Sequence, residues 1–462
     1  MRLLDDFIVP SERIPRVPHQ DQKNIATHLA ELQAALASVI PESLDGCQRH
    51  GNATIPTETL AALAMLCWGW LSGGTIHDRV ASACDILKRV GRLEEAVTRQ
   101  GLMQALASCS ESLLPAMTEH LAEQVRQLKG HWTSRGKVNV AVDGTKFLAP
   151  RSAANQADFA AGNAGSPPRS YATEADRAKA ATVQLLATVM WHVGSGLPLR
   201  WRIGGRTASE RHQAAEMLEE LPANARLIAD AEYVGDPLWR AMIVAKRSFL
   251  IRVGSNVRLL KNLGELQFRD GYVYFWTEKA QRRSQPPLIL KLITLHDGRH
   301  PVYLVTNDLD LSESEASEIY RQRWGIEVFF RTVKQSAQRR KLTCLTPQNV
   351  RTELQWTLLG LWAALFLGRH QLHQTQTPLH HLSPIKVLRA LTRTLLAVRD
   401  LATAAPPLRE LLAQSLCTNE STRASPKTNR NYPGKKQYTP AGKPHLTTAT
   451  ATQKRLARPL LK

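Results

Sequence analysis

The sequence predicts a layered α/β fold behind an all-helical N-terminal region, on three observations. Valine- and isoleucine-rich runs are scarce before residue 138 and frequent after it. From there to residue 253 the order reads strand, strand, strand, helix, strand, helix, strand, the pattern of helices packed on a mixed sheet. Hydrophobic residues make up 43% of the 462 residues and charged residues 22%, enough to bury a core through most of the chain.

Each element has a local reason. Residues 25–40, 59–71, 77–89 and 113–128 carry apolar side chains at helical spacing, punctuated by Pro56, Gly73 and Gly74. In the run VNVAVDGTKF, Val138, Val140 and Val142 share one face of a strand. A polar, alanine- and glycine-rich stretch from 150 to about 180 follows and reads as a long loop. Strands over 183–191 and 197–203 meet at the Gly194–Gly196 turn. A helix over 210–221, a strand over 225–229, a helix over 236–246 and a strand over 248–253 complete the layer. Residues 259–305 are β-rich again and read as an insertion. Ser312 and Glu315 then form a capping-box pattern for a long helix expected to run to about residue 335. These changes of character divide the chain at 1–130, 131–257, 258–305, 306–420 and 421–462.

Charge points to the partner. Lysine and arginine number 60 against 40 acids, a net charge of +20 that suits a polyanion bound with counterion release. No acid follows Glu420, while basic residues recur among proline, threonine and glycine, so 421–462 reads as a disordered tail attracted to nucleic acid. The six cysteines include no C-x2-C pair, which argues against a zinc knuckle and for reduced, mostly buried thiols in the cytoplasm. The N-terminus lacks the apolar stretch of a signal peptide. The apolar runs at 60–71 and 356–368 fall short of the roughly 18–20 residues that span a bilayer, so no membrane is expected.

Three carboxylates stand out by position. Asp143 and Asp230 each close a predicted strand, and Glu327 lies on the long helix. Acids at strand ends facing a crossing helix can converge on hard cations such as magnesium or manganese, which take oxygen ligands. At about 100° per residue, Tyr320, Arg323, Glu327, Arg331 and Lys334 fall within an arc of about 80°, with Ile326, Phe329, Phe330 and Val333 on another. One face packs, and the other sets a carboxylate among cations able to hold phosphates.

Tyr320, Arg323, Glu327 and Lys334 satisfy Y-x2-R-x3-E-x6-K. This resembles the Y-R-E-K signature of the insertion-sequence-four group of DDE transposases. VDGTKF and IADAEY resemble that group's first- and second-aspartate strands, and the β-rich segment lies where those enzymes carry an insertion. The resemblance covers roughly 137–341. It departs at Ala231 and Glu232, where many relatives have Arg-Gly.

The resemblance implies a ribonuclease-H-like mixed sheet flanked by helices. It makes Asp143, Asp230 and Glu327 a catalytic triad for two divalent ions, Mg2+ or Mn2+. The reaction implied is cut-and-paste transposition, cleavage at the element's ends followed by strand transfer into target DNA. Tyr320, Arg323 and Lys334 would grip terminal phosphates, with Arg331 adding a contact. Trp276 is the candidate to stack on a flipped base, and Trp324 would support the helix. The N-terminal helices would read the element ends, and a homodimer would form the synaptic complex on double-stranded DNA in the bacterial nucleoid. Two other readings stay open, a non-catalytic DNA-binding protein of transposase descent and a ribonuclease-H-like nuclease that cuts DNA without strand transfer.

Overall fold

The computed structural model describes residues 19–44, 47, 55–128, 130–159, 183–205, 207–296, 300–401, 405–417 and 442–461. The N-terminal region is helical: α1 (His19–Val39), α2 (Thr57–Met65) running into a π turn (Leu66–Trp70), α3 (Ile76–Arg89) and α4 (Arg99–Arg126). The helix expected over 113–128 is only the second half of α4. The true start is set by Thr98, whose hydroxyl accepts the Gly101 N–H.

The layer begins with β1 (Val138–Leu148) and a short α5 (Ala153–Phe159). Most of the expected loop, 160–182, lies outside the described residues. Then come β2 (Gln184–His192), β3 (Leu197–Gly204), α6 (Glu210–Glu216), β4 (Ala225–Ala229), α7 (Asp236–Val244) and β5 (Ser248–Val253). The insertion holds β6 (Arg258–Lys261), β7 (Tyr272–Phe275), α8 (Glu278–Arg282) and β8 (Leu288–Leu295). After β9 (Val302–Thr306) the chain is helical: α9 (Glu313–Gln322), α10 (Gly325–Arg331), α11 (Pro347–Gln374), α12 (Pro384–Asp400) and α13 (Leu408–Ala413). It ends in β10 (His445–Thr448) and α14 (Ala451–Ala457).

The ten strands among the described residues form one sheet, ordered β10-β6-β7-β8-β9-β5-β4-β1-β2-β3. β1 pairs antiparallel with β2 and parallel with β4, while β4 runs parallel to β5. The half β3-β2-β1-β4-β5 is the ribonuclease-H-like arrangement. The insertion continues this sheet through β9, because β5 leaves an open edge that β9 fills antiparallel.

The tail departs from the disorder expected of it. Within 442–461, β10 adds to the outer edge of β6 in parallel, and Ala449 and Ala457 pack with Leu260, Leu263, Tyr274 and Trp276. Composition alone hid this, because the apolar contacts are few and small. Residues 418–441 lie outside the described residues.

Helices cover both faces of the sheet. Val138, Val140 and Val142 point to one, against Ala214 of α6 and Leu238 and Trp239 of α7. The other face presents Ala141, Phe147 and Val189 to a larger core. That core runs without a break through α10, α11 and α12 into the N-terminal helices. Its tightest point is the crossing of the π turn and α11. A Cβ on Gly69 would lie 2.5 Å from the Gly360 backbone, so both positions must lack a side chain. Trp70 Nε1 donates to the Gly360 carbonyl at 2.8 Å. The carbonyls freed by the turn are met by two buried arginines. Arg79 donates to Cys67 at 3.0 Å, and Arg339 donates to Cys67, Trp68 and Leu71 at 3.3 Å.

Five cysteines are buried and Cys417 is exposed, with all six thiols free. Among the described residues no helix is long and apolar enough to cross a membrane.

Candidate active site

The site begins with strand register. Ala141 of β1 sits opposite Ile228 of the parallel strand β4, so two residues further on Asp143 stands level with Asp230. Adjacent strands lie about 4.8 Å apart, which brings the two carboxylates close by construction. Asp143 shares the face of Ala141, Thr145 and Phe147, the face that α10 covers. Its Oδ1 accepts the Gly144 N–H at 2.9 Å. Asp230 caps the one-turn 3-10 helix Ala231–Tyr233 and accepts the Glu232 N–H at 2.9 Å. Burial first, then the neighbouring Asp230, pushes the Asp143 carboxyl up to about 7; Arg323 and the Gly144 N–H pull the other way.

The helix carrying Glu327 supplies the third carboxylate, but it is not continuous. Between α9 and α10 the backbone tightens to i→i−3 bonds, including Arg323 N–H to Tyr320 at 3.2 Å and Glu327 N–H to Trp324 at 3.2 Å. Gly325 sits at this corner, where a Cβ would come within 3.0 Å of Trp191 Nε1. The close approach to β2 breaks the expected helix. It breaks again in the π turn Thr332–Ser336.

Three of the expected phosphate-binding residues meet at the acids. Arg323 bridges two of them, with Nη2 donating to Glu327 Oε1 at 2.8 Å and Nη1 standing 4.0 Å from Asp143 Oδ2. Its guanidinium lies 5.7 Å from the Tyr320 ring centroid. Burial alone would lower the Arg323 pKa, but Tyr320, Glu327, Asp143 and Asp230 together raise it. Lys334 Nζ donates to Thr145 Oγ1 and sits 5.4 Å over the Phe147 ring, next to Asp143 on the same face. Burial, then Arg340, lowers its pKa, while Asp143 opposes them.

The other expected residues are elsewhere. Arg331 points to a cavity behind α10. Trp276 is buried in the core of the insertion and donates Nε1 to the Gln285 carbonyl at 2.8 Å, so it offers no open stacking face. Trp324, expected to support the helix, is 51% exposed at the α9–α10 corner, because the break turns it outward.

One acid escaped the sequence analysis. Glu210, in the first turn of α6, reaches β1 from the opposite face of the sheet. A Cβ on Gly144 would fall 2.2 Å from its Cδ, so the glycine of VDGTKF makes its space. Tyr233 donates its hydroxyl to Glu210 Oε2 at 3.2 Å. Burial first, then Asp230 and Glu232, raises its pKa, with Tyr233 opposing. An acid at a helix start is common, so nothing in the sequence singled it out.

As arranged, no three acids among the described residues enclose a common point suited to a metal ion, and Glu327 is turned to Arg323. The oxygen donors nevertheless suit a hard divalent cation. Asp143 and Glu210 are each harder to ionise beside Asp230, and a cation would relieve this.

Comparisons with known proteins identify relatives of this chain. The family model described as a transposase DDE domain matches residues 121–362, a span that includes Asp143, Asp230, Glu327 and the whole signature. Transposase InsG for insertion sequence element IS4 of Escherichia coli (strain K12) is 26% identical over 243 residues, which cover 50% of this chain and 51% of that protein. The match therefore spans about half the length of that relative. A cryo-EM structure of piggyBac transposase in a synaptic complex with hairpin DNA aligns over 88% of this chain and 87% of its own, at 14% identity and a TM-score of 0.38. With more than half of its length matched by the family model, the chain belongs to the transposase DDE domain family.

Proposed function

We propose that this protein is a DNA transposase that cleaves the ends of an insertion sequence and joins them to target DNA. The observation that carries this reading is the level placement of Asp143 and Asp230 on adjacent parallel strands, under the helix bearing Glu327. The family's chemistry depends on divalent metal ions. Here Asp143, Asp230 and Glu327 would hold two of them, Mg2+ or Mn2+, with Glu210 adding negative charge from the other face of the sheet. Such ions make a hydroxyl nucleophilic and stabilise the leaving oxygen in an in-line displacement.

The chain's own residues do the rest. Arg323 and Lys334 hold phosphate oxygens beside the acids, the arginine by its fork and the lysine as a point charge. Tyr320 sets its ring beside the guanidinium of Arg323. Glu327 must leave Arg323 to act as a ligand, and an arriving DNA phosphate gives that guanidinium another anion to bind. Trp324, exposed at the corner, is placed to stack on a base. The excess of 20 positive charges supplies general attraction to DNA, and the N-terminal helices would read the element ends. Joining two ends to one target needs two active sites, hence a homodimer on DNA.

The test is cleavage of labelled element ends in Mn2+. Asp143→Asn should bind DNA and fail to cut it. Cutting at the parent rate would remove Asp143 from the site. Cutting without strand-transfer products would make the protein a nuclease instead.

A further inference from the structure

A second cavity lies behind α10, on the side away from the acids. It measures about 880 Å³ and is walled by residues 130–134, the β2–β3 turn, the back of α10, α11 and residues 378–385. Arg369 of α11 is nine-tenths buried at its wall. No carboxylate meets its guanidinium and its Nε has no hydrogen-bond partner among the described residues. The β2–β3 turn makes room for it, since a Cβ on Gly196 would fall 2.5 Å from Nη2. Burial lowers its pKa to about 10.

The other deeply buried arginines are treated differently. Arg79 and Arg339 bind main-chain carbonyls, and Arg226 pairs with Asp308 at 2.5 Å. An unpaired buried charge is costly, so its usual answer is a partner of opposite sign. The cavity supplies none. Among the described residues its lining contains no aspartate or glutamate, while Arg331, His131 and His380 add cationic or proton-donating groups. The volume far exceeds that of a bare anion, and Trp132, Trp191, Phe329, Leu365 and Leu382 give it apolar walls.

From the buried, unpaired Arg369 in an acid-free cavity with indole walls, we infer that this cavity binds an organic phosphate, its head on Arg369 and its planar body between the apolar walls. A nucleotide has that chemistry, either free or as a unit of a DNA strand. Arginine forks match phosphate oxygens in pairs, and the half-buried Trp132 is the indole that keeps area for a planar group, while the buried Trp191 closes the wall. The ligand would touch Val328 and Thr332, on the back of the helix whose front carries Glu327. The inference does not depend on the transposase reading.

Deoxyadenosine monophosphate, inorganic phosphate and a short DNA duplex are titrated calorimetrically into the full chain, and thermal midpoints are recorded alongside. The nucleotide should bind once per chain and about tenfold more tightly than inorganic phosphate. Arg369→Met should weaken that binding about tenfold or more, the usual loss for a charged hydrogen-bond donor. It should also raise the midpoint of the ligand-free protein, because it removes an unpaired buried charge. Arg331→Gln, on the exposed rim, should weaken binding several-fold without touching the fold, and it decides the matter if Arg369→Met does not fold. If the free nucleotide does not bind, but both variants weaken the duplex and flatten its salt slope by about one unit each, the phosphate comes from DNA. Unchanged affinity for nucleotide and duplex in the variants that fold would overturn the proposal.

Discussion

Two buried regions of this molecule hold charge in opposite ways. At the crossing of the π turn and α11, Arg79 and Arg339 are bonded to main-chain carbonyls, and Gly69 and Gly360 bring two backbones into contact. At the edge of the sheet, Asp143, Asp230 and Glu210 crowd together with too little positive charge to offset them, and Asp143 is pushed up to about 7 by burial and by Asp230. The first region is built for stability: the carbonyls of Cys67, Trp68 and Leu71 are answered by buried arginines within the chain. The second gives up stability to hold acids where a cation and a phosphate are needed. Strain of this kind at a site is what the proposed chemistry requires.

Asp143→Asn should separate the two behaviours most widely. Cleavage should fall on the order of 10³-fold or more, about 4 kcal/mol at the barrier. Without metal, the same variant should melt higher than the parent, because a crowded carboxylate is gone. A lower midpoint in chelator would mean that the acid edge is a stabilising network, and the contrast would fail.

The glycines give the next largest effect. Gly360→Ala places a Cβ 2.8 Å from Gly69 Cα, backbone that cannot move aside, and should cost about 3 kcal/mol in denaturant titration. Gly144→Ala meets first the Glu210 side chain, which can swing away, and should cost about 1 kcal/mol or less. It should nevertheless weaken Mn2+ binding, measured by titration calorimetry. Equal stability losses would show that Glu210 is as fixed as the helix crossing.

His192 offers a pH probe beside the second cavity. Its Nε2 donates to the Trp132 carbonyl at 2.9 Å, and its Nδ1 accepts the Ser195 N–H at 3.1 Å, which fixes the neutral tautomer. Burial lowers its pKa to about 4. The folded state therefore binds fewer protons than the unfolded chain between about pH 6.5 and 4. Stability is whole above that window and declines as pH falls through it, by on the order of 3 kcal/mol in all. His192→Gln should flatten this decline in urea titrations across the window. An unaltered slope would place the acid sensitivity elsewhere.

The smallest expected change is electrostatic. Lys334→Gln should reduce the slope of log affinity for DNA against log salt by about one unit. No change would mean that Lys334 serves Thr145 and Phe147 rather than a phosphate.

Much of this was legible in the chain. The alternation of Val138, Val140 and Val142 fixed the face of β1, and the spacing from Tyr320 to Lys334 marked the residues that meet near Asp143. Other features were not legible because they depend on partners far away in sequence. The break at Gly325 comes from Trp191, the burial of Trp276 from the insertion and tail packing on it, and the nearness of Glu210 from the space left by Gly144. The order within 442–461 comes from the open edge of β6.

The sequence by itself determined the strand and helix pattern, the strand-end aspartates and the signature on the helix, because each follows from local periodicity and spacing. Only the tertiary structure decided which acids share the edge, where the helix breaks and which arginine is left without an anion. Those outcomes depend on register between strands and on close approach between distant elements, and a linear chain specifies them only once it has packed.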